Sequence, residues 1–267
     1  VVSRLKIVEV ENMIRGVIKR SIYNKNFILL LLFSIVLGIE FLSKTGSYKN
    51  FGICAFVITG PDTYKSEMSF LYYIFNPLFT SIVASKAFYE DMNSGLYECL
   101  INREDGRRKY FQKMYISSLI MGGIVSILPI LIVAVFLMTN VPYIPSDCFV
   151  LVKKANLFTA FVNSSPTLYI FLSMIPFFIY GCMISAITMV SKVYINSNKN
   201  IELMIPFLIT VFIEFCGTFF YDIKLFHIMN YFNASLESIP GIIAFILCPL
   251  VVLTILYNRR VIKDDIF

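Results

Sequence analysis

Glu214, Asn76 and a block of charge between Phe88 and Lys113 are the places where this chain can do chemistry. Glu214 lies inside an apolar run, 203–220. A carboxylate there is costly unless it is paired, solvated or protonated, so its position alone makes it a functional-site candidate. It is either a gate or pathway residue, or a hydrogen-bonded structural Glu within a helix bundle. Asn76 precedes Pro77 within the run 68–85. It can line a pathway, or serve as a polar contact beside a helix kink. Glu40 sits so near the end of the run 27–42 that exposure at the interface accounts for it.

The charged block is FYEDMNSGLYECLINREDGRRKYFQK. Lys86, Arg103, Arg107, Arg108, Lys109 and Lys113 are interleaved or flanked with Glu90, Asp91, Glu98, Glu104 and Asp105. Leu96, Tyr97, Leu100 and Ile101 have helical spacing and predict one apolar face of a short helix. Ser94 and Gly95 can cap or turn the chain before it. The segment Asn102–Gly106 can turn the chain back. An apolar ridge with a charged rim is the pattern of a docking surface.

Other chemistry is not written in the chain. It has no Gly-rich phosphate loop followed by Lys-Ser or Lys-Thr, no HExxH and no GxSxG. It is therefore not expected to be an enzyme in its own right or to bind a cofactor. The single histidine, His227, rules out a multi-histidine metal site, and no metal site is expected. Cys54, Cys99, Cys148, Cys182, Cys216 and Cys248 form no CxxC pair. Cys54 and Cys148 both fall in loops expected outside, so a disulfide between them stays open.

The elements that must hold these residues are membrane helices. Of 267 residues, 58% are hydrophobic and only 15% charged, with 26 Phe and 16 Tyr. A helix needs about 20 apolar residues to cross the hydrocarbon core. Six runs approach or exceed that length: 27–42, 68–85, 114–138, 168–190, 203–220 and 241–257. Residues 1–24 read instead as an amphipathic helix lying on the membrane surface. Leu5, Val10, Met13, Ile14, Val17 and Ile22 are spaced helically, against Arg4, Glu11, Arg15 and Lys19. No ordinary signal peptide is expected in that charged stretch. The piece Phe51–Thr59 is too short to span, and Tyr221–Ile239 can form a short interfacial helix. With both termini inside, 17 of the 23 Lys and Arg residues fall on the cytoplasmic side, as the positive-inside rule requires. The net charge of +6 thus follows the membrane and does not point to nucleic acid. The expected fold is an all-α integral membrane protein: an interfacial helix over 1–24, then a six-span domain over 25–267.

Within the charged block, Asp91, Gly95, Leu100, Arg103 or Arg107, and Lys113 set out a pattern. It is acid-x-x-x-Gly, an apolar residue five on, a short turn with Arg, and Lys before the next run. This pattern resembles the permease subunits of ABC-2-type (type V) ABC exporters. Leu96 stands where that family usually has Thr, and the Pro expected near Asn102 is absent. The family also has an N-terminal interfacial helix, six spans with both ends inside, and a membrane-dipping segment before the last span.

The resemblance implies a multi-pass protein of a bacterial plasma membrane that binds no nucleotide itself. Two copies of a separate ATPase subunit would hold ATP and Mg, beside a second copy of the permease or a sister permease, in contact with membrane lipids. The ATPase would dock on a coupling helix carrying Asp91, Gly95, Leu96, Tyr97, Glu98, Leu100, Ile101 and Arg103. Asn76 and Glu214 would line the substrate pathway or gate. The implied activity is export of an amphipathic or hydrophobic substrate, such as a peptide antibiotic, a bacteriocin or a drug. The alternatives are a lipid or cell-wall polymer exporter of the same fold, or a non-transporting scaffold or sensor that docks an ATPase.

Overall fold

The computed structural model describes residues 15–45, 67–103, 106–140, 166–195, 199–219 and 247–262. Every element among them is helical. In chain order these are α1 (Arg15–Ile22), α2 (Lys25–Thr45), α3 (Glu67–Asn93), α4 (Leu96–Arg103), α5 (Arg107–Asn140), α6 (Pro166–Ile195), α7 (Lys199–Phe219) and α8 (Cys248–Ile262). The expectations for residues 1–14, Phe51–Thr59 and Tyr221–Ile239, and for the cysteines Cys54 and Cys148, lie outside the described residues.

The long helices overlap the apolar runs but extend past them at the charged end. α3 continues to Asn93 and α5 begins at Arg107. An α-helix satisfies its backbone internally, so nothing forces it to stop where the apolar residues do. Among the described residues, two helical segments are long and apolar enough to cross a membrane, Arg107–Phe136 and Met174–Ile195. α1 and α2 supply a third crossing if the pair, bent by 63°, counts as one span. The bend falls at Tyr23 and Asn24, where the Asn24 side chain accepts a hydrogen bond from the Asn26 N–H at 3.1 Å and so caps α2.

α5 and α6 form the closest-packed pair, and small residues make this approach possible. Ser118, Gly122 and Ser126 recur every fourth residue on α5, facing Gly181 and Ser185 on α6. A Cβ on Gly181 would collide with the Gly122 carbonyl, and one on Gly122 with that of Gly181. Ser118 and Ser185 hydroxyls lie 2.8 Å apart, and the Ser185 hydroxyl also donates to the Ser118 carbonyl at 2.8 Å. Small residues and interhelical hydroxyl bonds are what holds helices together where lipid offers no hydrophobic drive. α3 packs across this pair, and the Ser118 hydroxyl lies 3.1 Å from the Ala84 carbonyl.

The outer faces are apolar. α2 exposes Ile28, Leu29, Leu32, Ile35, Val36 and Ile39. α7 exposes Ile201, Met204, Leu208, Val211, Phe212 and Phe215. Apolar surface on this scale is stable against lipid tails and not against water. The chain is a helical membrane protein, with its buried aromatic core at the end where α3, α4 and α5 meet: Phe88, Tyr110, Phe111, Tyr115 and Tyr257.

Candidate functional site

The end of α3 is fixed on two opposite faces by two buried carboxylates. Tyr89 and Asp91 are two residues apart, which is about 200° around a helix. Each joins a separate cluster made of one acid, one cation and one tyrosine.

Asp91 forms the first. It is 1% exposed, and Arg20 of α1 meets its carboxylate with both terminal nitrogens, Nη1 to Oδ1 and Nη2 to Oδ2 at 3.2 Å. The Tyr110 hydroxyl of α5 donates to Oδ2 at 3.1 Å. A two-pronged Arg–carboxylate contact fixes geometry as well as charge. The hydrogen bond to Asp91 also holds the Arg20 guanidinium above its ordinary value, against the opposing effect of burial. The cluster therefore ties α1, α3 and α5 together.

Glu202 forms the second. It lies in the first turn of α7 and is completely buried. Tyr89 donates to its Oε2 at 2.6 Å, and Lys192 of α6 reaches Oε1 at 3.4 Å. The Lys192 ammonium also stands 5.5 Å from the Tyr89 ring centre, where the face of the ring attracts a cation. Burial first, and the neighbouring carboxylate second, push the Tyr89 phenol above its ordinary value. One helical turn into α7, Ser81 of α3 donates to the Leu203 carbonyl at 2.9 Å. This cluster joins α3, α6 and α7. Neither Glu202 nor its partners stood out in the sequence, because Ser191–Glu202 reads as a short polar loop. The available signal was an acid one residue before an apolar run, ten residues after a lysine.

α4 stands between these anchored helix ends. After α3 the chain turns at Gly95, whose φ of 69° lies in the left-handed region that glycine tolerates best. The Gly95 carbonyl then accepts the Glu98 N–H at 3.2 Å and opens α4. The apolar ridge expected to face outward is turned partly inward. Tyr97, Leu100 and Ile101 are half-buried against the aromatic core, and only Leu96, at 45%, is well exposed. The reason is the nearby core itself: a lone eight-residue helix gains more from covering it than from presenting its apolar face to water. Among the described side chains of α4, Leu96, Glu98 and Cys99 face outward. Asp91 is buried here rather than on that surface, and it holds the root of α4. Arg103 ends the helix, and only its backbone is described.

Asn76 takes part in a polar contact between helices. It is buried between α3 and α5, donating to Ser126 Oγ at 2.9 Å and Tyr72 Oη at 3.3 Å, and accepting from Thr80 Oγ1 at 3.1 Å. The Tyr72 hydroxyl in turn donates to the Ser126 carbonyl at 2.7 Å. The amide is an interhelical polar contact beside Pro77 of α3. Glu214 lies in α7 and Glu40 in α2, and their side chains are outside what the structure describes. Among the described residues, no three His, Cys, Asp or Glu side chains come together in a way that could hold a metal ion.

The chain matches no protein-family model, no characterised protein and no solved structure. Its chemistry is read from its own residues. The two clusters link the end of α3, next to α4, to α1, α5, α6 and α7.

Proposed function

We propose that this chain is the membrane permease subunit of an ATP-driven exporter, moved by a separate ATPase that docks on α4. The observation that carries the reading is the form of α4 and its supports. It is a short helix with an outward face of Leu96, Glu98 and Cys99, and its root is tied through Asp91 and Tyr89 to four other helices. A partner that pulls or presses on such a helix displaces the ends of several helices at once. An ATPase can drive the membrane part only if it binds one arrangement more tightly than another. In this reading α4 faces the cytoplasm, six spans cross the membrane, and both termini lie inside. A second copy of the chain or a sister permease completes the unit. The cargo is amphipathic or hydrophobic, because the chain offers many Phe and Met side chains and few charges inside the membrane; a peptide antibiotic or bacteriocin fits that description.

The test is co-purification with a candidate ATPase subunit co-expressed with the chain. Leu96→Asp with Cys99→Asp changes only exposed positions, so the variant should insert and fold as the parent does. Loss of co-purification with intact membrane insertion supports docking on α4. Undiminished co-purification sinks it. Substituting Leu100 or Ile101 tests nothing useful, because those side chains also serve the core.

A further inference from the structure

We propose that the elbow between α1 and α2 binds anionic phospholipid headgroups, and that these compete with Asp91 for Arg20. The elbow, residues 15–26, has the sequence RGVIKRSIYNKN, with four basic residues and no acid. Arg15, Lys19 and Lys25 are exposed, and Arg20 stays 38% exposed despite its contact with Asp91. The same outer surface carries Ile22 and Tyr23, the tyrosine 80% exposed, with the Lys19 ammonium 5.9 Å from its ring centre. Large apolar and aromatic groups beside unopposed lysines are unfavourable in water and suited to a headgroup layer. The elbow is also placed at that layer, since the outward face of α2 turns apolar directly after it, from Ile28 onward.

The competition follows from the inner side of the same elbow. Ser21 and Asn24 are buried there, and neither Ser21 Oγ nor Asn24 Nδ2 finds a hydrogen-bond partner among the described residues. Asn24 cannot turn its amide to correct this, because its Oδ1 already takes the Asn26 N–H and the Lys86 ammonium. Burying donors without acceptors opposes the docking of α1 on the bundle. The Arg20–Asp91 contact counters that cost, and its cation is the one an anionic headgroup can reach. A phosphate that takes Arg20 therefore also lets Ser21 and Asn24 regain partners. This inference needs only the membrane setting of α2, and stands whether or not an ATPase docks on α4.

The chain contains no tryptophan, so Tyr23→Trp installs a single fluorescent reporter at an exposed site. The full-length protein is reconstituted in vesicles of phosphatidylcholine and phosphatidylglycerol, with one or the other lipid brominated as quencher. Quenching should report local enrichment of phosphatidylglycerol. Each basic residue near an anionic surface contributes roughly five-fold, so Lys19→Gln with Lys25→Gln should reduce the enrichment by roughly twenty-five-fold. Asp91→Asn should increase it by a few-fold, because Arg20 is then released. Equal quenching by the two lipids overturns the headgroup site. Enrichment that Asp91→Asn leaves unchanged overturns the competition.

Discussion

The Asp91 and Glu202 clusters use the same three kinds of side chain on opposite faces of one helix end, yet they differ in what lies behind each cation. Arg20 is partly in solvent, on a helix that rests against the bundle. Lys192 is 13% exposed and belongs to α6, which packs against α3, α5, α7 and α8. Breaking the first contact leaves a cation that can turn outward. Breaking the second leaves a charge enclosed on every side. The same chemistry thus makes a detachable contact at the periphery and a fixed one between α3, α6 and α7. The difference comes from exposure and from the loyalty of each partner helix to the bundle.

That contrast sets the expected order of effects. Lys192→Met leaves Glu202 buried with its charge uncompensated, and should cost about 3–5 kcal/mol of stability, measured by unfolding in mixed micelles. Adding Glu202→Gln should recover much of the loss; a double variant no better than the single one would show that the two side chains do not act as a pair. Asp91→Asn should cost less, about 1–3 kcal/mol, since Tyr110 keeps an acceptor and Arg20 reaches water. Its hydrogen exchange should rise over α1 while α7 stays protected, and equal loss of protection in both would erase the proposed distinction. Gly95→Ala places a Cβ at a left-handed position and should cost about 1 kcal/mol. Leu96→Ala, at an exposed position away from both clusters, should change stability by no more than about 0.5 kcal/mol. A larger change would mean that α4 packs more deeply than its exposure indicates.

Much of the architecture could be read in advance because lipid imposes a simple rule on sequence. Long apolar runs mark the helices, and 88–113 stands out as charged between two of them. The turn at Gly95 and the short helix after it also followed from residue type and spacing. The clusters were hidden for a different reason. Arg20 and Asp91 are 71 residues apart, and Tyr89 and Glu202 are 113 apart, so no local pattern joins them. Asp91 and Glu202 both looked like surface acids because they sit where apolar runs end. Burial at that level depends on how neighbouring helices overhang, which periodicity does not record. The inward turn of Leu100 and Ile101 has the same origin. Their spacing specifies one apolar face but not which surface that face covers. Asn76 was legible as a polar residue in a span, while its three hydrogen-bond partners on α3 and α5 were not, because they depend on how the two helices pack.

The contact between Gly122 and Gly181 has a mechanical consequence. Two backbones that touch, with hydroxyls bridging on one side, have no clearance to slide or roll past each other. α5 and α6 must travel as one rigid body, a spine against which other parts move. α2 and α7 meet that spine on one side and present bare aliphatic and aromatic groups on the other. Displacing them exchanges one hydrocarbon neighbour for another, so the membrane itself serves as the lubricant for whatever motion this protein makes.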